Sequence, residues 1–250
     1  MGRDGLKIAL LQIESITGDL ERNIARHLAA LEHLHAGDAE LAIFPELSLS
    51  NYEPGVAART AIDAADERLA PFEDFSLQRN VSVCIGAPLR GGVRPSISAI
   101  LFSPGQPRRV IHKAFLHDDE VPVFAPGCRQ ASVLALSQRV GLAICFDISV
   151  DAHLEQASAQ GMDVYLASVA KTADGIAAAR ERLRMKAREY GVPVLVVNSV
   201  GNCEGRPAGG NSTVIDANGE VIEALDGSEQ TVLVFDLESG PARKLPLDIA

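Results

Sequence analysis

The chain has 250 residues, of which 47% are hydrophobic, and a formal net charge of -10. This length and apolar content suffice for one large α/β domain with a sizeable core. The acidic balance, without a run of Lys or Arg that could neutralise phosphates, excludes a nucleic-acid or anionic-membrane surface.

The first half of the chain has apolar segments that alternate between strand and helix patterns. We predict a buried strand over 6–11, a helix over 20–34, a strand over 41–44 that ends at Pro45, a helix over 59–79 and a strand over 81–87. Strands over 97–102 and 109–111, joined by a Pro-Gly turn, predict a hairpin. The βαβ steps favour a parallel, buried sheet.

The second half repeats this outline. We predict strands over 133–136, 140–144, 164–167 and 192–198, with helices over 150–160 and 175–190 between them. The turn Asp216-Ala217-Asn218-Gly219 predicts a hairpin over 211–224. A strand over 230–236 closes the sheet, and 238–250 is a polar, proline-punctuated tail. The expected fold is α/β, with two half-sheets packed in a four-layer α-β-β-α sandwich and a single domain over 1–237.

The four cysteines, at positions 84, 128, 145 and 203, show no Cys-x-x-Cys pair and no histidines at zinc-finger spacing. They predict reduced thiols in a cytoplasmic protein, with no metal and no cofactor. The N-terminus has no signal-peptide pattern, and no apolar run approaches the ~18 residues that a membrane span needs. We therefore expect neither a membrane nor nucleic acid as a partner.

Three predicted strand ends are each followed by a chemically capable side chain. Glu46 follows Phe44-Pro45, Lys113 follows the hairpin, and Cys145 ends the strand over 140–144. Taken singly, each of these residues is best explained without catalysis, because a lone Glu or Lys is usually a solvated surface residue and a free Cys is usually buried in the core. A thiol at a strand end before a helix is suited to nucleophilic work, since the helix dipole favours thiolate. The joint occurrence of the three favours a catalytic site.

With these motifs the sequence resembles the nitrilase superfamily of carbon-nitrogen hydrolases over nearly its whole length. Short motifs carry the resemblance in the family's order: Phe44-Pro45-Glu46 with Tyr52, Lys113 with Leu116, Glu120 with Phe124, Pro126 and Gly127, Ile144-Cys145-Phe146-Asp147, 186–189, 198–201, and 210–221. Many relatives continue after the cysteine with Asp-x-Arg-Phe-Pro-Glu and carry Asn where this chain has Tyr190. Here Ser149-Val150-Asp151-Ala152 replaces the Arg-Phe-Pro-Glu step, a departure that concerns the subfamily.

The resemblance implies a cysteine-dependent hydrolase with a Glu-Lys-Cys set. Cys145 is the expected nucleophile, Glu46 the general base, and Lys113 with the backbone N–H of Phe146 the oxyanion donors. Glu120 is expected to hold Lys113 and the attacking water. Asp147 is expected to be a structural acceptor at the turn.

The substrate pocket is less visible in the sequence than the catalytic set. We expect Tyr52, Phe124 and the segment 168–172, with Ala170 and Thr172, to form its walls because they follow strands or belong to the motifs. Lys171 could meet an acidic substrate group, although a solvent-facing lysine is the commoner case. Cys84, Cys128 and Cys203 are expected to be packing or loop thiols.

The leading functional hypothesis is an amidase that converts a small linear amide to a carboxylate and ammonia through a Cys145 thioester. An N-carbamoyl amine or amino acid hydrolase, or a nitrilase, would use the same Glu-Lys-Cys set. An ammonia-supplying glutaminase and a catalytically silent binding protein on the same fold are further alternatives. The resemblance also implies a homodimer or higher homo-oligomer, with the tail over 238–250 at the interface.

Overall fold

The structure is a computed structural model that describes residues 5–249, without the side chains of residues 241 and 242. Its strands in chain order are β1 (Lys7–Gln12), β2 (Leu41–Ile43), β3 (Ser82–Leu89), β4 (Ser96–Phe102), β5 (Arg109–His112), β6 (Ser132–Ala135), β7 (Arg139–Ile144), β8 (Val164–Ser168), β9 (Val194–Val197), β10 (Asn202–Cys203), β11 (Arg206–Pro207), β12 (Thr213–Ile215), β13 (Val221–Ala224), β14 (Thr231–Asp236) and β15 (Gly240–Pro246). The α-helices are α1 (Leu20–Leu31), α2 (Ala57–Thr60), α3 (Ala70–Arg79), α4 (Asp151–Ala159) and α5 (Ala173–Tyr190). Short 3₁₀ segments cover Pro54–Val56, Glu67–Leu69 and Cys145–Ser149.

The main strands form two mixed sheets. The first has the order β15-β14-β1-β2-β3-β4-β5 and the second the order β13-β12-β9-β8-β7-β6, while β10 and β11 form a small separate hairpin. Strands β1, β2 and β3 are parallel at the centre of the first sheet, as are β7, β8 and β9 in the second. The flanking strands are antiparallel. The chain therefore leaves β2 and β7 at the carboxyl end of the parallel strands in each sheet.

The two sheets pack face to face, with helices on their outer faces. Along β7, Leu142 and Ile144 face the apolar core between the sheets, whereas Ala143 packs with Leu154 of α4 and Leu183 of α5. This alternation is the period of two that a strand imposes on its side chains. An equivalent cluster lies between the first sheet and α1 and α3. The predicted four-layer α-β-β-α sandwich is thus confirmed.

The predicted helix over 59–79 is wrong. The chain forms the single turn α2, passes through an extended stretch in which Ile62 bridges to Leu89, and begins α3 only at Ala70. Pro71 explains this start, because proline fits the first turn of a helix but not its interior. The alanine-rich composition of this segment favours helix, so the break between α2 and α3 is not evident from the sequence.

The C-terminal segment contains a strand that the prediction of a polar tail over 238–250 omitted. Strand β15 pairs antiparallel with β14 as the edge of the first sheet. Beyond it, Leu247 and Ile249 are buried in the cluster under α1 and α3. Much of this segment therefore packs within its own chain, and a contact with a second subunit stays a prediction.

Helix length and hydropathy also bear on membrane insertion. Among the described residues, the structure contains no helix with the length and apolar character that a membrane crossing requires.

Candidate active site

Cys145 lies at the junction of β7 and a 3₁₀ segment. Strand β7 ends at Ile144, and Cys145 is the first residue of the segment Cys145–Ser149. Its φ of 43° lies in the left-handed region, which a residue with a Cβ adopts only at a cost of about 1 kcal/mol or more. A tight turn of this kind places the thiol at the end of the strand instead of within the sheet.

Asp147 connects the cysteine loop to the loop that carries Lys113. Its Oδ2 accepts a hydrogen bond from Ile144 N at 3.0 Å, and its Oδ1 accepts one from Phe115 N at 2.8 Å. Behind it, His153 Nε2 lies 3.7 Å from Oδ2, and His153 Nδ1 is 2.8 Å from the Tyr165 hydroxyl. Asp147 is therefore a structural acceptor, as the sequence predicts, and it binds the two loops together.

Lys113 brings the two glutamates together. Its Nζ donates to Glu46 Oε1 at 2.8 Å and to Glu120 Oε1 at 2.6 Å, and all three side chains are almost completely buried. Buried charges persist when they are paired in this way. The structure thus places Glu46, Lys113 and Glu120 in one ionic cluster, although Glu46 follows β2 and the other two belong to the connection between β5 and β6.

The two glutamates differ in how many hydrogen bonds they accept. Glu120 Oε1 accepts a second bond from the Tyr52 hydroxyl at 2.8 Å, and its Oε2 accepts one from His117 N at 2.8 Å. Glu46 Oε2 is buried without a hydrogen-bond partner. The Cys145 thiol nevertheless acts on the Glu46 pKa as a weak donor, so it faces this carboxylate without a fully formed bond. Glu46 is the carboxylate with an oxygen available for a proton.

Burial controls the protonation of this cluster. Burial, opposed by the Lys113 charge and reinforced by the Glu120 charge, raises the pKa of Glu46 to about 7. Burial alone would lower the pKa of Lys113, but the charges of Glu46, Cys145 and Glu120 outweigh it and raise that pKa. Lys113 therefore remains an ammonium while Glu46 titrates near neutral pH.

The Cys145 thiol is protonated at rest. Burial and then the Glu46 charge raise its pKa to about 12, against the lowering effects of Lys113 and Lys171. This differs from the expectation that a helix dipole favours thiolate: only a short 3₁₀ segment starts at Cys145, and its dipole does not offset desolvation. The thiol accordingly needs a base.

A glycine in the neighbouring strand makes room for the Glu46 loop. A Cβ added at Gly86 in β3 would lie 2.4 Å from Leu47 N and 2.5 Å from Pro45 O, closer than real Cβ contacts allow. The Glu46 loop therefore packs directly on the backbone of β3. This contact fixes the height at which the carboxylate stands above the sheet.

A cavity of ≈ 190 Å³ opens over this cluster. Its buried lining includes Lys113, Glu120 and Cys145, and Phe146 of the 3₁₀ segment also lines it. Backbone N–H groups in the first helical turn have no acceptor within the helix, so that of Phe146 is available to a ligand. The volume lies below the usual range for drug-sized ligands, which indicates a small substrate.

The structure brings most of the expected wall residues to this cavity. Tyr52, Ala170 and Thr172 line it, whereas Phe124 does not. Phe124 N bonds to Glu120 O at 2.8 Å, one turn along the chain, and its side chain is fully buried in the core between the sheets. Phe124 thus lies outside this cavity, and a role in substrate binding stays a prediction.

The cavity also has an exposed rim, of which Asp119, Glu204 and Arg206 were not expected from the sequence. His117, Asp119, Glu204 and Arg206 lie on this rim, and Cys203 contributes to the lining below it. The last three belong to the β10–β11 hairpin, whose turn at Glu204 and Gly205 has φ values of 51° and 70°. The Glu-Gly pair between polar residues was a turn signal, but two-residue strands leave no periodicity to detect.

Over residues 5–249, no group of three or more His, Cys, Asp and Glu side chains is arranged to hold a metal ion.

Comparison with known proteins places the chain among hydrolases. It is 30% identical over 247 residues to an (R)-stereoselective amidase from Pseudomonas sp., covering 97% of this chain and 89% of that protein. It is 27% identical to a glutamine-dependent NAD(+) synthetase from Thermotoga maritima, of which it spans only 42%.

Solved structures share the fold. An amidase from Nesterenkonia sp. superimposes with a TM-score of 0.83 at 25% identity, covering 95% of this chain and 92% of that one. A mutant of the Nesterenkonia amidase in complex with butyramide gives 0.82 at 23% identity, covering 94% and 91%. The carbon-nitrogen hydrolase family itself matches residues 7–246. The chain therefore belongs to the carbon-nitrogen hydrolase family.

Proposed function

We propose that the protein is an amidase that hydrolyses a small linear amide to a carboxylate and ammonia through a thioester on Cys145. Its family makes it a cysteine-dependent hydrolase of carbon-nitrogen bonds. The observation that carries the proposal is the buried Glu46–Lys113–Glu120 cluster, which meets the Cys145 thiol at a cavity of ≈ 190 Å³. The amidases among the relatives support the same substrate class.

In the first step Glu46 acts as the general base. Its free Oε2 takes the thiol proton while Sγ attacks the amide carbon. A base whose pKa is about 7 is well matched to neutral pH, because enough of it is ionised and it still holds a proton firmly. The negative charge then develops on the former carbonyl oxygen, which needs nearby donors.

Lys113 and the backbone N–H of Phe146 supply those donors. Lys113 is held by two carboxylates and stays charged, so its position does not depend on the substrate. In other hydrolases a preorganised donor of this kind contributes roughly 10²- to 10³-fold in rate. When the tetrahedral intermediate collapses, Glu46 returns its proton to the departing amine, and ammonia leaves.

In the second step, Glu46 again acts as the general base, and water replaces the thiol as the attacking group. Glu46 accepts a proton from a water molecule, the resulting hydroxide attacks the acyl carbon, and the thiol leaves with the proton. Glu120 is a positioning residue in this scheme, because its oxygens are occupied by Lys113, Tyr52 and the His117 N–H. Tyr52, Ala170 and Thr172 would enclose the acyl chain.

The experiment that tests this function measures ammonia release from butyramide, a ureido compound and a nitrile of similar size. Butyramide turnover by the native chain and none by Cys145→Ala, with an unchanged circular dichroism spectrum, is the expected result. Turnover of only the ureido compound or only the nitrile would replace the amidase by an N-carbamoyl hydrolase or a nitrilase. Undiminished activity of Cys145→Ala would remove the thioester mechanism, and no turnover with any compound would favour a binding protein.

Assembly and location remain predictions. We propose a homodimer in the cytoplasm, supported by the resemblance and by cysteines that form no disulfide in the described chain. Light scattering on a size-exclusion column would contradict the dimer if the protein eluted as a monomer at micromolar concentration.

A further inference from the structure

Lys171 lines the same cavity as the nucleophile Cys145. It follows β8 and lines the catalytic cavity together with Ala170 and Thr172. Cys145 lines the same cavity, and the backbone N–H of Ala170 and the Lys171 charge both lower the pKa of its thiol. Lys171 and the reacting sulfur therefore face one cavity.

The backbone of Lys171 is held firmly in place. Its N–H donates to Asn198 Oδ1 at 2.8 Å, and its carbonyl accepts from Asn198 Nδ2 at 3.0 Å and from Gly209 N at 2.8 Å. Asn198 is completely buried, so this anchor is part of the core. Such an arrangement preorganises the root of the side chain and leaves only its stem free to adjust.

The ammonium of Lys171 contacts no carboxylate or carbonyl oxygen among residues 5–249. The chain has five lysines, and the other four ammonium groups each bond to a carboxylate or a carbonyl oxygen. Among these lysines, Lys171 is the one without an ion pair or a side-chain hydrogen bond in the described part of the chain. A half-buried cation that lines a substrate cavity and has no such partner there is available for an anion of the substrate.

The charged groups on the rim act on one another. Burial and the Asp119 and Glu53 charges raise the pKa of Glu204, while Arg206 lowers it. Asp119 Oδ1 also lies 2.6 Å from His117 Nδ1. The rim thus holds two carboxylates and one guanidinium, whereas the Lys171 charge acts on Cys145, whose pKa it lowers.

We propose that Lys171 is a specificity-determining residue that selects amides whose acyl chain ends in a carboxylate, the monoamides of short dicarboxylic acids. The inference rests on the amidase function proposed above and names its substrate class. The small cavity limits the acyl chain to a few carbons.

The test compares three amides with the same two-carbon spacer between the amide and the terminal group: succinamate, its neutral methyl ester and the cationic β-alaninamide. We expect kcat/KM for succinamate to exceed that for the ester by about tenfold, as for a charge-assisted hydrogen bond in a partly buried site. Lys171→Gln should reduce this ratio to about one, mainly through a higher KM for succinamate. Lys171→Arg should retain most of the preference, and Lys171→Glu should reverse it in favour of β-alaninamide.

The ratio of two substrates on one enzyme distinguishes charge recognition from damage to the fold. Lys244→Gln, which removes a lysine of the exposed sheet edge, is the matched control and should leave the ratio unchanged. The role of Lys171 would be overturned if the native enzyme released ammonia from the methyl ester as efficiently as from succinamate. It would also be overturned if Lys171→Gln kept the native ratio. Neither result would affect the amidase function. Absence of ammonia from these three amides while butyramide is hydrolysed would overturn this inference alone. Absence from butyramide as well would overturn the amidase function on which it rests.

Discussion

Glu46 and Glu120 contact the same ammonium and differ in what else they bind. Three donors occupy the oxygens of Glu120, while Glu46 keeps one buried oxygen without a donor. An unsatisfied buried acceptor is costly and needs an explanation. Here the explanation is chemical, because a base must have a free lone pair where the proton arrives. Hydrogen bonding thus divides two equivalent carboxylates into a base and a positioning group.

The pH dependence of the reaction should report this division. The base must be ionised, and burial raises the pKa of Glu46 to about 7, so kcat/KM should rise with pH through neutrality. The Glu120 charge contributes to that raised pKa. Glu120→Gln should therefore shift the acidic limb to lower pH by about one unit, whatever it does to the maximal rate.

A pH series of kcat/KM on the native enzyme and the variant checks this prediction. Asp119→Asn is a suitable control, because this neighbour is not among the charges that shift Glu46. An acidic limb that stays in place in Glu120→Gln would mean that Glu46 is not the titrating base.

At the scale of elements, the Asp147 carboxylate joins two loops that carry different parts of the chemistry. One oxygen binds the end of β7 and the other binds the loop after Lys113. Asp147→Asn replaces one acceptor by an N–H₂ group that must face a backbone N–H. We expect a loss of about 1–3 kcal/mol in the free energy of unfolding and a lower kcat, since the thiol and the ammonium lose their fixed separation.

Urea denaturation and steady-state kinetics on Asp147→Asn measure both effects. Asp63→Asn, which affects only an exposed ion pair with Arg90, should change neither quantity by a comparable amount. If Asp147→Asn matched the native protein in stability and in kcat, the bridge between the loops would have no mechanical role.

The positions of Glu46, Lys113 and Cys145 at strand ends could be predicted, because each of these residues follows a strand with a clear apolar pattern. The direction of a side chain in a loop has no such signal, which is why Phe124 was assigned to the cavity although it points into the core. The β10–β11 hairpin, with Glu204 and Arg206, escaped prediction because its strands have two residues each and show no periodicity. The charges that surround the substrate therefore required the structure.

At the scale of the whole molecule, the C-terminal segment completes the first sheet. Strand β15 covers β14, and Leu247 and Ile249 fill part of the outer core. Its polar residues and prolines conceal this role in the sequence, since edge strands tolerate both. The four layers themselves were predictable, because the βαβ spacing of the two halves limits how their apolar faces can be covered.

Deletion of residues 239–250 tests whether this segment stabilises its own chain. Loss of a strand and of two buried aliphatic side chains should reduce the free energy of unfolding by about 3 kcal/mol or more. The reduction should be the same at all protein concentrations, because the pairing is intramolecular. A loss that disappeared on dilution of both proteins would instead place the segment in a subunit interface.

The origin of the catalytic groups in different sheets has a consequence for biosynthesis. Glu46 and Lys113 follow strands of the first sheet, and Cys145 follows a strand of the second. In a nascent or partly folded polypeptide, the thiol lies beside neither the carboxylate base nor the lysine that stabilises the oxyanion, and it behaves as an ordinary cysteine. Amide hydrolysis therefore begins only once the two halves have docked.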